Sequence, residues 1–192
     1  MLNANHQLSR LKGVTLVELL VVIAIAGVLA GIALPSYRNL MISNRISSIV
    51  SDFHSNLLLA RSEALKRGTT VSICKSANAE VVGASCDPSP SVAGSNVGWG
   101  SGWIMFVDIN RDGNLNSDDT LLRAQGRLIT NIQDGAIVPA NGIEFISFGV
   151  TGQTFTAVNF QISAPTGFAN LERAVCVAVG GRARVGKAPD CS

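Results

Sequence analysis

The chain is 192 residues long, 47% hydrophobic and 5% aromatic, with 19 glycines and a mean hydropathy of +0.33. That is room for one ordinary domain with an appendage, and few aromatics beside so much glycine argue for short strands and turns over a helical bundle. A formal net charge of +2, from 15 Lys and Arg against 13 Asp and Glu, excludes attraction of nucleic acid by a global field and leaves only a local patch for that task.

The first thirteen residues are polar, carry Arg10 and Lys12, and end in Gly13. The segment 14–34 is apolar except for one charge, Glu18. As a helix rising about 1.5 Å per residue it spans about 30 Å, the hydrocarbon thickness of a bilayer. No Ala-x-Ala site follows it, as a secretory signal requires, and the basic flank favours a cytoplasmic start. A carboxylate near the centre of a membrane helix costs about 2.5–3.5 kcal/mol, so Glu18 is read as functional. It can lie within reach of an amine if the chain is cut after Gly13.

Beyond Pro35 the apolar residues Ile42, Ile46, Ile49, Val50, Phe53, Leu57, Ala60 and Ala64 recur at steps of three and four, the stripe of an amphipathic helix. Lys66, Arg67 and Gly68 make its C-terminus. One helix is therefore expected over 14–67, its first half in lipid or a filament core.

Segments 69–75, 102–108, 120–123, 143–148, 154–162 and 173–179 are rich in β-branched or aromatic residues and bounded by turn formers, as strands are. The stretch 76–101 is long, small and polar and reads as a surface loop. The fold class is α+β, a long N-terminal helix packed on antiparallel β-sheet. Within 108–119, Asp108, Asn110, Asp112, Asn114 and Asp119 occupy positions of a calcium loop with Gly113 sixth. Against that reading, the twelfth position is Asp rather than Glu, a strand precedes the loop, and any tight turn selects the same residues. A bare turn is preferred, and no metal is assigned.

Near the C-terminus, Gly180-Gly181 signals a two-residue hairpin. If the chain returns as a strand, Arg182 and Arg184 share a face about 7 Å apart, with Ala183 and Val185 toward the sheet. With Lys187 behind them they form a small anion site, suited to phosphate. Four cysteines without a CxxC pair, in a domain that follows an export segment, suggest two disulfides. Three connectivities are open; Cys74–Cys86 and Cys176–Cys191 are favoured because each closes a short loop. An enzyme is not expected: without the first thirteen residues His54 is the one histidine, and no phosphate-binding glycine-lysine motif occurs. No cofactor is expected.

Lys12-Gly13 followed by Val14-Thr15-Leu16-Val17-Glu18 and an apolar run resembles the leader of type IV pilins and type II secretion pseudopilins. Val14 stands where those proteins usually carry Phe. The resemblance implies cleavage after Gly13 by prepilin peptidase, N-methylation of Val14, and pairing of Glu18 with the terminal amine of a neighbouring pilin. The divisions expected are a leader at 1–13, a transmembrane and filament-core helix at 14–40, and a periplasmic globular domain at 41–192, on a single-pass inner-membrane protein assembled into a pilus. Thr70 to Cys74, Gly102 to Asp108 and Leu121-Leu122-Arg123 make the chain similar to the GspH/FimT family of minor pilins and pseudopilins. Gly181-Arg182-Ala183-Arg184 resembles the GRxR motif of the FimT-type members. That likeness implies non-specific DNA binding in uptake for natural transformation, with Arg182 and Arg184 as contacts and Gly181 presenting them. Two rivals remain: a structural minor pilin that primes or caps the pilus, and a GspH-like secretion pseudopilin.

Overall fold

The computed structural model of the protein describes residues 13–189, which divide after Leu40 into two compact units. The helix α1, Leu16–Arg67, contributes to both. In the first unit Thr15 caps the helix: its hydroxyl accepts the Glu18 amide at 3.2 Å and its carbonyl accepts the Leu19 amide at 3.1 Å. Thr15 and Glu18 thus stand in capping-box spacing. The apolar side chains of this unit are exposed, and α1 is long and apolar enough to cross a membrane by length and composition.

In the second unit the helical stripe is the core. Ile46, Ile49, Val50, Phe53, Leu57, Ala60 and Ala64 are all buried. Phe53 meets Trp99, Trp103 and Phe160 edge to face, with centroids 4.8–5.9 Å apart. Burying one such large side chain is worth roughly 1.5–3 kcal/mol. The helix stops where Gly68 turns left-handed (φ 63°), its amide still bonded to Ala64. Glu63 pairs with Lys66 and Arg67 in that last turn.

The strands are β1 Val71–Lys75, β2 Trp103–Val107, β3 Thr120–Gln125, β4 Ala136–Pro139, β5 Phe145–Phe148, β6 Val158–Ser163, β7 Arg173–Val177 and β8 Ala183–Lys187. They form two antiparallel four-stranded sheets, ordered β3-β2-β1-β5 and β4-β6-β7-β8. Alternation is cleanest in β6, where Val158, Phe160 and Ile162 are buried and the residues between them are half-buried. The short β4 lies outside the segments that read as strands in the sequence; its Pro139 is tolerated because β4 is an edge strand.

The stretch 76–101 is more than a surface loop. Ala79 and Trp99 are buried, and Ala79 joins Cys74, Ile104 and Phe106 in a second apolar cluster. A Cys74–Cys86 disulfide closes it, with Cα atoms 5.5 Å apart. Lys75 at the end of β1 is buried, and its ammonium lies 3.5 Å from Asp87 and 3.1 Å from Glu144 while donating to the Ser89 carbonyl. Glu144 in turn accepts the Ser91 amide and hydroxyl. One internal cation thus ties the loop to the sheet.

Candidate nucleic-acid interface

The β7–β8 hairpin forms the edge of the second sheet. In its turn the Gly181 amide donates to the Ala178 carbonyl at 2.7 Å and the Ala178 amide to the Arg182 carbonyl at 3.1 Å. Val179, Gly180 and Gly181 make the loop, one residue more than a two-residue turn, and Gly181 alone of the two glycines takes a positive φ, 73°. A Cβ on Gly181 would lie 1.7 Å from the Gly152 carbonyl oxygen. Gly181 is itself buried. It is required by backbone against backbone inside the protein, and so positions the arginines without offering a surface to a ligand.

Three further contacts fix the hairpin. Thr154 donates its amide to the Val179 carbonyl and its hydroxyl to the Ala178 carbonyl. His54 on α1 lies 3.3 Å from the Ala183 carbonyl, between the two arginines. A carbonyl only accepts, so Nε2 carries the proton. Asn159 on β6 donates to the Pro189 carbonyl just past β8.

Cross-strand register places Asn159 beside Cys176 and Cys176 beside Arg184. This row lies on the face opposite Val158, Val177 and Ala183, which are buried. Arg182 and Arg184 are exposed and line one open cleft of about 580 Å³ with Asn159, Cys176 and Ala178. Among the described residues Arg182 forms no ion pair. Two guanidiniums beside a carboxamide in an open cleft can grip anionic oxygens.

Lys187 does not join them. The pleat alternates, so Lys187 shares the face of Ala183 and lines a separate concavity with Asn170, Arg173 and Val185. Val185 is 47% exposed instead of turned into the core, although it pairs with the buried Val175. Asn159 and His54 carried no signal in the sequence, since their roles depend on a pairing register between distant segments. Cys176 is disulfide-bonded; Cys191, its expected partner, lies outside the described residues, as does the leader up to residue 12. Gly13, Val14 and Glu18 are all on the exposed first unit.

At 108–119 the turn is held by its own acids. The Asp108 carboxylate accepts the Ser72 hydroxyl and the Gly113 amide, Asp112 accepts from Asn110, Asn114 and Asn116, and Asp119 accepts the Ile109 and Asn116 amides.

A family model described as type II transport protein GspH matches residues 50–181, and one described as the prokaryotic N-terminal methylation motif matches residues 8–34. A probable minor fimbrial protein of Dichelobacter nodosus is 37% identical over 90 residues, 47% of this chain and 50% of that protein. Fimbrial protein Q of Moraxella bovis is 40% identical over 67 residues, 35% of this chain and 42% of that one. The chain thus spans about half the length, or less, of these curated relatives. The crystal structure of the type IV minor pilin FimU from Pseudomonas aeruginosa superimposes with a TM-score of 0.55 at 17% identity, covering 77% of this chain and 92% of that one. That likeness shows the fold.

Proposed function

The chain belongs to the GspH family and is a minor-pilin-like protein with an N-terminal methylation motif, and from that premise we propose that it is a FimT-like minor pilin that binds DNA through Arg182 and Arg184. The observation that carries this reading is their placement together in one open cleft, on a hairpin anchored at Gly181, Ala183 and Pro189. Contacts of this kind go to phosphate and carry no sequence information. DNA uptake in natural transformation is the role this binding would serve.

On the same reading, prepilin peptidase cuts after Gly13, Val14 becomes the methylated terminus, and Glu18 pairs with the amine of a neighbouring subunit. Residues 14–40 lie in the inner membrane and then the filament core, and residues 41–192 form the periplasmic domain. The contact boundary between Leu40 and Met41 supports that division.

Equilibrium binding of full-length protein in detergent to duplexes of different sequence tests the DNA reading. Non-specific dissociation constants of about 10⁻⁴–10⁻⁶ M at physiological salt are expected, with little dependence on sequence. Changing Arg182→Ala and Arg184→Ala together should remove most binding and leave the unfolding midpoint almost unmoved. Equal binding by that variant would sink the assignment. The second reading is a purely structural minor pilin, for which the double variant would leave DNA uptake intact.

A further inference from the structure

We propose that the open edge of β5 is a base-stacking site, in which Phe145 and Phe155 hold one unpaired nucleobase of a DNA strand whose phosphates lie on Arg182 and Arg184. If those arginines hold DNA as proposed above, on which this site depends, the preferred substrate is DNA with a single-stranded extension rather than a blunt duplex. A concavity of about 290 Å³ lies at this edge, with Arg111, Phe145, Thr154 and Phe155 among the residues that line it. That is close to the lower bound of about 300 Å³ for small-ligand sites, room for one ring system.

Phe155 is 75% exposed, more than any other aromatic side chain among the described residues, and Phe145 is 42% exposed. Among those residues neither ring pairs with another aromatic ring. Phe145 is nevertheless held in place. A Cβ on Gly113 would collide with its ring, so the β2–β3 turn packs on the phenyl group as only glycine permits. Leaving two phenyl groups in water is unfavourable, and a stacked base relieves that. Bases stack on such rings whatever their identity, so sequence tolerance is kept.

The surroundings suit a base better than a plain apolar side chain. Arg111 lines the concavity, and its side chain forms no hydrogen bond or ion pair among the described residues. It is also the one non-glycine among them with a positive φ, 64°, a backbone state that collects at functional sites. A guanidinium beside a stacked base adds a cation–π contact. β5 is an edge strand, and the Lys75 amide donates to the Glu144 carbonyl just before it. Bonded and non-bonded pairs alternate along an antiparallel ladder. Cys74 and Phe145 are therefore a non-bonded pair, and the Phe145 N–H and C=O point away from β1 into the open edge. They supply one donor and one acceptor for the edge of a base. The one acid at the site, Glu144, is already matched by Lys75 and Ser91.

The concavity adjoins the arginine cleft through the chain itself. Thr154, Phe155 and Thr156 line the one, and Ala157, Val158 and Asn159 line the other. Thr154 is bonded to both Val179 and Ala178 of the hairpin, which ties the two sites together. Phe155 and Asn159 are four residues apart, at most about 14 Å, a reach that a strand of a few nucleotides covers.

Equilibrium binding of full-length protein in detergent tests this with three DNAs of one sequence. They are a blunt duplex, the same duplex with a short thymidine overhang, and the same duplex with an abasic overhang of equal length. The thymidine overhang should bind about fivefold or more tighter than the blunt duplex, the low end of what stacking one base is worth. The abasic overhang should show no such gain. Phe155→Ala, at an exposed position, should erase the ratio of overhang to blunt affinity without moving the melting temperature, and Phe155→Tyr should keep it. Changing Arg182→Ala and Arg184→Ala together should weaken all three DNAs, which separates the two sites. An abasic overhang that binds as well as thymidine, or a gain that survives Phe155→Ala, would overturn the base site and leave the arginine cleft standing. A gain that survives while filament assembly fails would assign the Phe155 ring to a neighbouring subunit instead. Absence of binding to all three DNAs would overturn the cleft and the base site together.

Discussion

Lys75 shows how much one side chain can organise. Its ammonium is buried at the end of β1, where Asp87, Ser89 and Glu144 are its partners among the described residues. Breaking a buried pair by removing one partner typically costs about 3–5 kcal/mol, so Lys75→Ala should lower stability by an amount of that order in urea unfolding. Its anionic partner adds a pH signature. Burial works against the Asp87 charge, but hydrogen bonds from Ser89 and the nearby Lys75 ammonium outweigh it and hold the carboxyl below its usual value of 3.8. Stability from a depressed carboxyl is present above the unfolded value and lost as pH falls through the folded one. The wild-type unfolding midpoint should therefore hold down to about pH 4 and then fall more steeply than that of Asp87→Asn. None of this was legible in the sequence, because a lysine at the end of an apolar strand reads as an exposed terminator, and its partners lie on a loop and another strand.

At the scale of elements, the hairpin separates two glycines that look alike in sequence. Gly181 has a positive φ and its added Cβ would meet the Gly152 carbonyl, whereas Gly180 has nothing within 4 Å. Gly181→Ala should cost about 1–3 kcal/mol and displace the arginines, lowering DNA binding with it. Gly180→Ala should stay within about 0.5 kcal/mol of wild type. Equal effects in urea unfolding would mean that the packing against Gly152 does not govern the turn. The helical stripe from Ile42 to Ala64 was fully legible, since a 3.6-residue period survives any tertiary context. Six of the eight strands were readable from β-branched runs. β8 followed from the hairpin signal and alternation, which placed Ala183 inward, but alternation says nothing about how far the core covers an edge strand, and Val185 and Lys187 fall beyond it. β4, four residues long, is too short for a period to show.

At the scale of the whole molecule, an apolar N-terminal unit is followed in the chain by a sheet domain that presents two arginines. If the first unit anchors the protein as proposed, mass spectrometry of membrane-extracted protein should find a terminus at Val14, and Glu18→Ala should be cleaved yet enter filaments poorly. A mature protein that keeps Met1 in cells with active prepilin peptidase would contradict this. The leader and apolar run were legible because they are local in sequence. The cleft was legible only in its two arginines, since Asn159 reaches it, and His54 reaches the hairpin behind it, through pairings that no linear pattern encodes.

The salt dependence of DNA binding tests the central claim most directly. Each phosphate contact contributes about −0.9 to the slope of log affinity against log salt concentration. With Arg182 and Arg184 as the contacts, wild-type protein should give a slope of about −2, and Arg182→Ala alone should bring it to about −1. The Lys187→Ala slope should match wild type, because Lys187 lies on the other face of β8. A slope that Arg182→Ala leaves unchanged, or one that falls with Lys187→Ala instead, would contradict the cleft as the DNA contact.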